Sequence, residues 1–121
     1  MYEIKFYEDE RGHSDVVEFI KQLEQDAEKS KDARINFNKI VAYLDILEEM
    51  GTRVGEPVTK HLEGDIWELR PLKNRILYAY YKDNIFVMLH HFRKETKKTP
   101  RSEIEKAMTE IADYRRREEE K

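Results

Sequence analysis

Cationic and aromatic side chains concentrate between Trp67 and Pro100, and they are the residues of this chain best suited to phosphate chemistry. Arg70 and Arg75 flank a short Pro-Leu-Lys-Asn segment, and Lys94 follows a run of strand-forming residues. Guanidinium groups bind phosphate oxygens through paired hydrogen bonds, and a neighbouring aromatic ring can stack on a base. The residue types therefore predict a three-stranded β-meander with a basic surface that binds RNA.

Charge is distributed unevenly along the chain. The net charge is −3. Residues 58–101 nevertheless carry 10 Lys and Arg against 5 Asp and Glu, whereas residues 1–57 carry 8 against 14. Surface potential depends on where charges lie rather than on their sum. The regional excess favours a polyanionic partner, although fluctuation of charge along a sequence explains it equally well.

The elements that must position these side chains follow from the spacing of apolar residues. Residues 2–7 alternate as a half-buried strand does. From Asp15 the spacing is helical, with Ser14 or Asp15 as N-cap, and a second helix ends at Gly51. Turn residues predict a loop over residues 52–64. Three strands are predicted at Asp65–Leu72, Arg75–Lys82 and Ile85–Arg93, followed by a helix with Thr99 as N-cap and Pro100 as first residue that frays into a charged tail from about residue 115.

The element order β-α-α-β-β-β-α predicts an α+β fold. A mostly antiparallel central sheet is expected to be covered on one face by the helical hairpin, with a further helix at the C-terminus. At 121 residues, the chain is expected to form a single domain over residues 1–121.

Several functional classes lack their sequence signals. There are no cysteines, which excludes a disulfide framework and thiol catalysis and fits a reducing compartment. No apolar run reaches the roughly 20 residues of a membrane span, and the N-terminal segment lacks signal-peptide features. Metal-ligand spacing, glycine-rich phosphate loops and serine nucleophile motifs are also missing. We expect a cytoplasmic protein without a metal or cofactor.

Strand alternation separates two faces of the meander. If Pro71–Asn74 and Asp83–Asn84 are hairpin turns, Arg70 lies opposite Arg75, and Arg75 lies opposite Phe92. The face under the helices is predicted to hold Trp67, Leu69, Ile76, Tyr78, Tyr80, Val87, Leu89 and His91. The opposite, open face is predicted to hold Glu68, Arg70, Arg75, Leu77, Ala79, Tyr81, Phe86, Met88, His90, Phe92 and Lys94.

Two arginines in direct opposition are unfavourable unless an anion lies between them. Glu68 is one candidate for that anion and a bound phosphate is the other. The aromatic and imidazole groups of the same patch favour the phosphate. Of the histidines, His90 faces the patch and could transfer a proton near neutral pH, although a structural role is equally plausible, whereas His91 is predicted to be a hydrogen-bonded core residue.

The segment from residue 60 to residue 107 resembles the signature region of phage-type HigB toxins, in the RelE/ParE superfamily of bacterial type II toxin–antitoxin systems. Glu95 departs from the pattern, which more often has a second lysine there, and Lys97 and Lys98 could compensate. The residues that match are Lys60, Leu62, Gly64, Trp67, Glu68, Leu69, Arg70, Arg75, Tyr78, Leu89, His90, Phe92, Lys94, Thr96, Thr99 and Pro100.

The resemblance implies a RelE-like fold and a ribosome-dependent endoribonuclease, or mRNA interferase. Such an enzyme cuts mRNA in the ribosomal A site without a metal, through attack of a ribose 2′-hydroxyl on its own phosphodiester, and so inhibits translation and growth. The implied catalytic residues are Arg70 and Arg75 for the phosphate and Lys94 or His90 for protons. The implied RNA-binding residues are Lys60, Glu68, Lys73, Tyr81, Phe92, Lys97 and Lys98.

The resemblance also implies partners and rivals. The expected partners are a HigA-type antitoxin, in a higher-order complex, and mRNA on the ribosome. Members of the same superfamily that poison DNA gyrase would share the fold without cutting RNA. A non-catalytic RNA-binding or protein-binding domain is the other alternative.

Overall fold

Five strands form one sheet in the computed structural model, which describes residues 1–121. The strand order is β1-β5-β4-β3-β2. β1 is parallel to β5, and all the remaining pairs of neighbouring strands are antiparallel. The predicted α+β fold is confirmed. The elements are β1 (Glu3–Phe6), α1 (Asp15–Asp26), α2 (Lys31–Met50), a 3₁₀ turn (Gly51–Val54), β2 (Thr59–Glu63), β3 (Ile66–Leu69), β4 (Asn74–Tyr80), β5 (Ile85–Arg93) and α3 (Arg101–Glu119).

Serine caps begin the two helices of the hairpin. The Ser14 hydroxyl accepts a hydrogen bond from the amide of Val17, and the Ser30 hydroxyl accepts one from Ala33. Each cap satisfies an amide that the first helical turn leaves unpaired. Gly51 ends α2 as predicted, at φ 67°. A side chain at Gly51 would overlap the ring of Tyr2, because a Cβ would lie 2.6 Å from it.

The sheet has an apolar core on each face. The helical hairpin covers one face, where Val16, Ile40 and Leu47 meet the strands. The α3 helix covers part of the other face with Ala107 and Ile111. The prediction of an open second face is therefore wrong over the half of the sheet under α3. The strand residues buried there are Ile66, Leu77, Ala79, Val87 and Leu89.

The register of β4 against β5 shifts between Leu77 and Tyr78, where β5 has one extra residue, Leu89. Arg75 pairs with Phe92 and Leu77 with His90, as predicted, but Tyr78 then pairs with Met88. A β-bulge inserts one residue and reverses the facing of the residues beyond it. The predicted faces of four β5 residues are consequently wrong: Phe86 and Met88 pack under the hairpin, whereas Val87 and Leu89 pack under α3.

Three predicted boundaries also need correction. Residues 59–63 form an additional strand, β2, because they pair with β3 despite the turn residues on either side. The α3 helix continues to Glu119 instead of fraying near residue 115, since Arg115 and Arg117 form ion pairs that hold its last turns. Pro100 occupies the N-cap position of α3, while the Thr99 hydroxyl donates to Glu68.

The two-residue turn between β4 and β5 is confirmed. Asp83 and Asn84 both have positive φ, and the amide of Ile85 donates to the carbonyl of Lys82. None of the three helices combines the length and the hydrophobicity that crossing a bilayer requires.

Candidate functional site

A cationic pocket lies beside the edge of α3, at the end of the sheet where β3 ends and β4 begins. It has about 130 Å³ of free space, and its lining holds six Arg and Lys side chains against three carboxylates. The pocket joins three strands to the connection between β5 and α3. Its charged and aromatic lining residues are Glu68, Arg70, Arg75, Phe92, Arg93, Lys94, Glu95, Lys97, Lys98 and Glu103.

Glu68 is the fixed centre of this pocket. Its side chain is 3% exposed, and Oε1 lies 3.4 Å from Nε of Arg70 and 3.8 Å from Nε of Arg75. The other oxygen accepts a hydrogen bond from Thr99. Sequence reasoning preferred a phosphate between the two arginines, and the structure instead has the Glu68 carboxylate there. A buried carboxylate of this kind orients the guanidinium groups and offsets their mutual repulsion.

The two arginines retain donors for a ligand. Nη1 of Arg75 donates to the carbonyls of Leu72 and Asn74, each at 2.8 Å. Nη1 of Arg70 donates to Glu56 at 3.0 Å, and its Nε is buried without a hydrogen-bond partner. Neither Nη2 has a partner within the protein. Burial lowers the pKa of Arg75, against the opposing effect of Glu68, but a guanidinium stays charged at physiological pH. Two oriented cations with spare N–H groups can hold a phosphodiester.

Flexible cations and an aromatic ring complete the pocket. Lys94, Lys97 and Lys98 are exposed, and none forms an ion pair in the structure. Phe92 is half-buried in the pocket wall, opposite Arg75 in the strand register. The predicted grouping of Arg70, Arg75, Phe92 and Lys94 at one end of the sheet is found in the structure, and Lys97 and Lys98 line the same pocket; the roles of these residues stay predictions.

His90 does not face the pocket freely, contrary to its predicted position on an open face. Its side chain is 1% exposed because α3 covers it. The ring lies between two carboxylates of that helix, with Nε2 2.9 Å from Glu103 and Nδ1 2.5 Å from Glu110. His90 therefore reaches the pocket only through Glu103, and direct proton transfer between His90 and a ligand is excluded in this conformation.

Three further predicted RNA-binding residues lie outside the pocket lining. Lys60 is exposed on β2, opposite Glu68 in the register. Lys73 lies in the β3–β4 turn and lines an adjoining cavity with Arg75, Lys94 and Lys97. Tyr81 lies beyond the far end of β4, where its ring packs edge-on against Tyr114 of α3, with 5.2 Å between centroids. Tyr81 is therefore on the side of the sheet that α3 covers and outside the pocket, and its role in RNA binding stays a prediction.

His91 lies under the helical hairpin, on the predicted face. Its ring stacks on Phe19 with 3.9 Å between centroids, and Nδ1 lies 2.5 Å from Asp15. The side chain is 27% exposed, so it is hydrogen-bonded as predicted but only partly buried.

Comparison with known families identifies the group to which this domain belongs. The family model described as "Phage derived protein Gp49-like (DUF891)" matches residues 18–112, which include every residue of the cationic pocket. The chain belongs to the Gp49-like family. This is a RelE-like toxin family of toxin–antitoxin systems, so a toxin role and an antitoxin partner follow for the chain. No curated protein matches the sequence.

The site predicted from the sequence did not include Arg93, Thr99 or Glu103 of this pocket. Glu103 lines it from the first turn of α3, and Thr99 binds Glu68. The spacing of Glu103 and Glu110 was a usable signal, because residues seven apart lie on one face of a helix. No signal could have shown that this helical face meets His90.

Proposed function

We propose that this Gp49-like protein is a toxin of the phage-type HigB kind that cuts mRNA on the ribosome, without a metal, and is neutralised by a HigA-type antitoxin. The observation that carries the proposal is the convergence of Arg70, Arg75 and Lys94 on one pocket beside Phe92. Action on ribosomes would place the protein in the cytoplasm.

The chemistry that suits these residues is transesterification, in which a ribose 2′-hydroxyl attacks the neighbouring phosphodiester. The 2′-hydroxyl gives up its proton to a base as its oxygen attacks phosphorus, the bond to the 5′-oxygen breaks, and the products are a 2′,3′-cyclic phosphate and a 5′-hydroxyl. Arg70 and Arg75 would bind the phosphate and the charge that grows on it in the transition state. The Lys94 ammonium would protonate the departing 5′-oxygen and then regain a proton from solvent.

Arg75 and Lys94 differ in exposure, and this difference supports different roles for the two cations. Arg75 is 6% exposed and held by two carbonyls, so its guanidinium has one orientation. Lys94 is exposed and unpaired, so it can follow the leaving group. Phe92 would stack on a base next to the scissile phosphate.

A test in cells separates this proposal from gyrase poisoning and from simple binding. Induction of the wild-type protein should arrest growth and produce codon-positioned mRNA ends, detected by primer extension, without a DNA-damage response. The Lys94→Met variant should cleave mRNA at least about 100-fold more slowly, because general acid catalysis contributes a rate factor of that size or more. A matched control, Lys21→Met on α1, should behave like the wild type.

Two outcomes would contradict the proposal. DNA damage signalling without mRNA ends would indicate a gyrase poison. Growth arrest with neither effect would indicate a protein that acts by binding alone.

A further inference from the structure

The buried ring of His90 connects two carboxylates, and one of them, Glu103, lines the pocket. Both ring nitrogens lie within hydrogen-bond distance of carboxylate oxygens, at 2.9 Å from Glu103 and 2.5 Å from Glu110. The ring therefore bridges the two carboxylates and fixes the orientation of each.

Of the two carboxylates that contact His90, Glu103 lies in the pocket and Glu110 lies outside it. Glu103 lines the cationic pocket, and its Oε1 is held by Nε2 of His90, whereas its Oε2 has no partner. Glu110 lies seven residues further along α3, outside the pocket lining. Glu103 is therefore the one carboxylate of the two that a ligand in the pocket can reach.

Glu103 is the carboxylate of the pocket best prepared to accept a proton. Glu68 has one oxygen between two guanidinium groups and the other on Thr99, so neither oxygen is free. Glu95 is exposed and forms no hydrogen bond or ion pair that would orient it. Glu103 combines one fixed oxygen with one free oxygen, the arrangement that a base held by a second group requires.

We propose that Glu103 is the general base of the RNA cleavage and that His90, supported by Glu110, is the residue that positions it. This inference rests on the proposed function. Glu103 Oε2 takes the proton of the ribose 2′-hydroxyl as the 2′-oxygen bonds to phosphorus. The bond between phosphorus and the 5′-oxygen breaks, that oxygen takes a proton from Lys94, and Glu103 afterwards releases its proton to solvent.

Single-turnover cleavage of a defined mRNA on programmed ribosomes tests the role of Glu103. Glu103→Gln should lower the rate constant about 10²–10⁴-fold, since an amide cannot accept the proton. The affinity for a single-stranded RNA oligonucleotide should stay within about twofold, because the arginines that bind phosphate remain in place. The control is Glu105→Gln on the same helix, whose carboxylate contacts only Arg101, and it should cleave at the wild-type rate.

Substitutions of His90 test the positioning role separately. His90→Gln keeps an N–H that can donate to Glu103, whereas His90→Leu keeps none. At a temperature where both variants are folded, His90→Gln should retain at least about tenfold more of the rate constant than His90→Leu, with equal RNA affinity. A purely structural His90 would give rates that follow the folded fraction alone.

The outcomes distinguish this inference from the proposed function. If the wild-type protein leaves ribosome-bound mRNA intact, the proposed function fails and this inference fails with it. If the wild type cleaves and Glu103→Gln cleaves equally fast, only the assignment of Glu103 is overturned. Should Glu103→Gln fail to fold, Glu103→Asp provides the same test, because it keeps the charge but withdraws the carboxylate from the pocket.

Discussion

At the scale of single residues, Glu68 determines the geometry of the cationic pocket. A carboxylate with a side chain only 3% exposed needs partners, and it finds them in Arg70, Arg75 and Thr99. The two arginines in turn can lie side by side because the carboxylate lies between them. The pocket is thus preorganised for an anion before any ligand arrives, which is the property that electrostatic catalysis requires.

Replacing Glu68 with Gln should destabilise the fold by about 3 kcal/mol, because it leaves two neighbouring arginines without their buried counter-charge. The measurement is urea unfolding at neutral pH. The matched control is Glu56→Gln, which removes the other carboxylate bound to Arg70; this carboxylate is 63% exposed. A surface pair of this kind contributes less than about 1 kcal/mol. Equal losses from the two substitutions would contradict the central role of Glu68.

At the scale of elements, strand alternation correctly predicted which face each buried residue of β3 and β4 occupies, and it failed in the first half of β5. The pairings of Leu69 with Ile76 and of Arg75 with Phe92 follow from alternation and a four-residue turn. The bulge at Leu89 of β5 has no signature in the sequence, since no glycine or proline marks it. The facing predicted for β5 was therefore reversed from Phe86 to Leu89, whereas it is correct from His90 to Phe92.

Contacts between elements explain why the predictions for β2 and His90 were wrong. Turn residues flank β2 at both ends, and only its pairing with β3 makes this short segment a strand. The burial of His90 depends on where α3 packs, and the apolar spacing of α3 does not specify the strands that it will cover. Alternation along each strand thus predicted that Arg70, Arg75, Phe92 and Lys94 share one face. It could not predict the contact between His90 and α3.

The connection between β5 and α3 should determine how strongly RNA binding depends on salt. Lys97 and Lys98 lie there, exposed and unpaired. Binding of single-stranded nucleic acid releases about 0.7 counterions for each phosphate neutralised. Replacing both lysines with Gln should reduce the slope of log K against log salt by about 1.4, as measured by anisotropy of a labelled RNA oligonucleotide.

Two exposed lysines at the far ends of β4 and α3 provide the control. The double substitution of Lys82 and Lys121 with Gln changes the total charge equally, and these residues follow the ends of β4 and α3 that are opposite the pocket. It should leave the slope unchanged. If both pairs alter the slope equally, RNA contacts the whole molecule rather than this connection.

At the scale of the whole molecule, side chains from the two ends of the chain hold β1 and α3 together. The Tyr7 hydroxyl donates to Asp113 at 2.8 Å, and Arg117 forms an ion pair with the same carboxylate and lies over the Tyr7 ring. Hydrogen bonds from Arg117 and Tyr7 lower the pKa of Asp113. This network explains why the last, highly charged turns of α3 remain helical.

The same network predicts how stability depends on alkaline pH. Burial and the hydrogen bond to Asp113 raise the pKa of Tyr7 to about 12, against about 10 in the unfolded chain. The resulting stabilisation is complete below pH 10 and is lost as the pH rises towards 12. The free energy of unfolding should therefore fall less steeply between pH 10 and 12 in Tyr7→Phe than in the wild type.

Tyr43 supplies the control for this pH dependence. Its hydroxyl has no hydrogen-bond partner in the structure, so Tyr43→Phe should keep the wild-type slope. Burial also raises the pKa of Tyr78, but Tyr78 is present in all three proteins, so the difference isolates Tyr7. A wild-type slope in Tyr7→Phe would show that the network does not hold the Tyr7 proton.

The chemistry of the RNA ends tests most directly whether the cationic pocket cuts RNA. Purified wild-type protein, given ribosomes with a defined codon in the A site, should produce a 2′,3′-cyclic phosphate upstream and a 5′-hydroxyl downstream. Lys94→Met should produce these ends at least about 100 times more slowly, without a change in melting temperature, because the Lys94 side chain is exposed and unpaired. Intact mRNA with the wild-type protein, or equal cutting by Lys94→Met, would contradict RNA cleavage by this pocket.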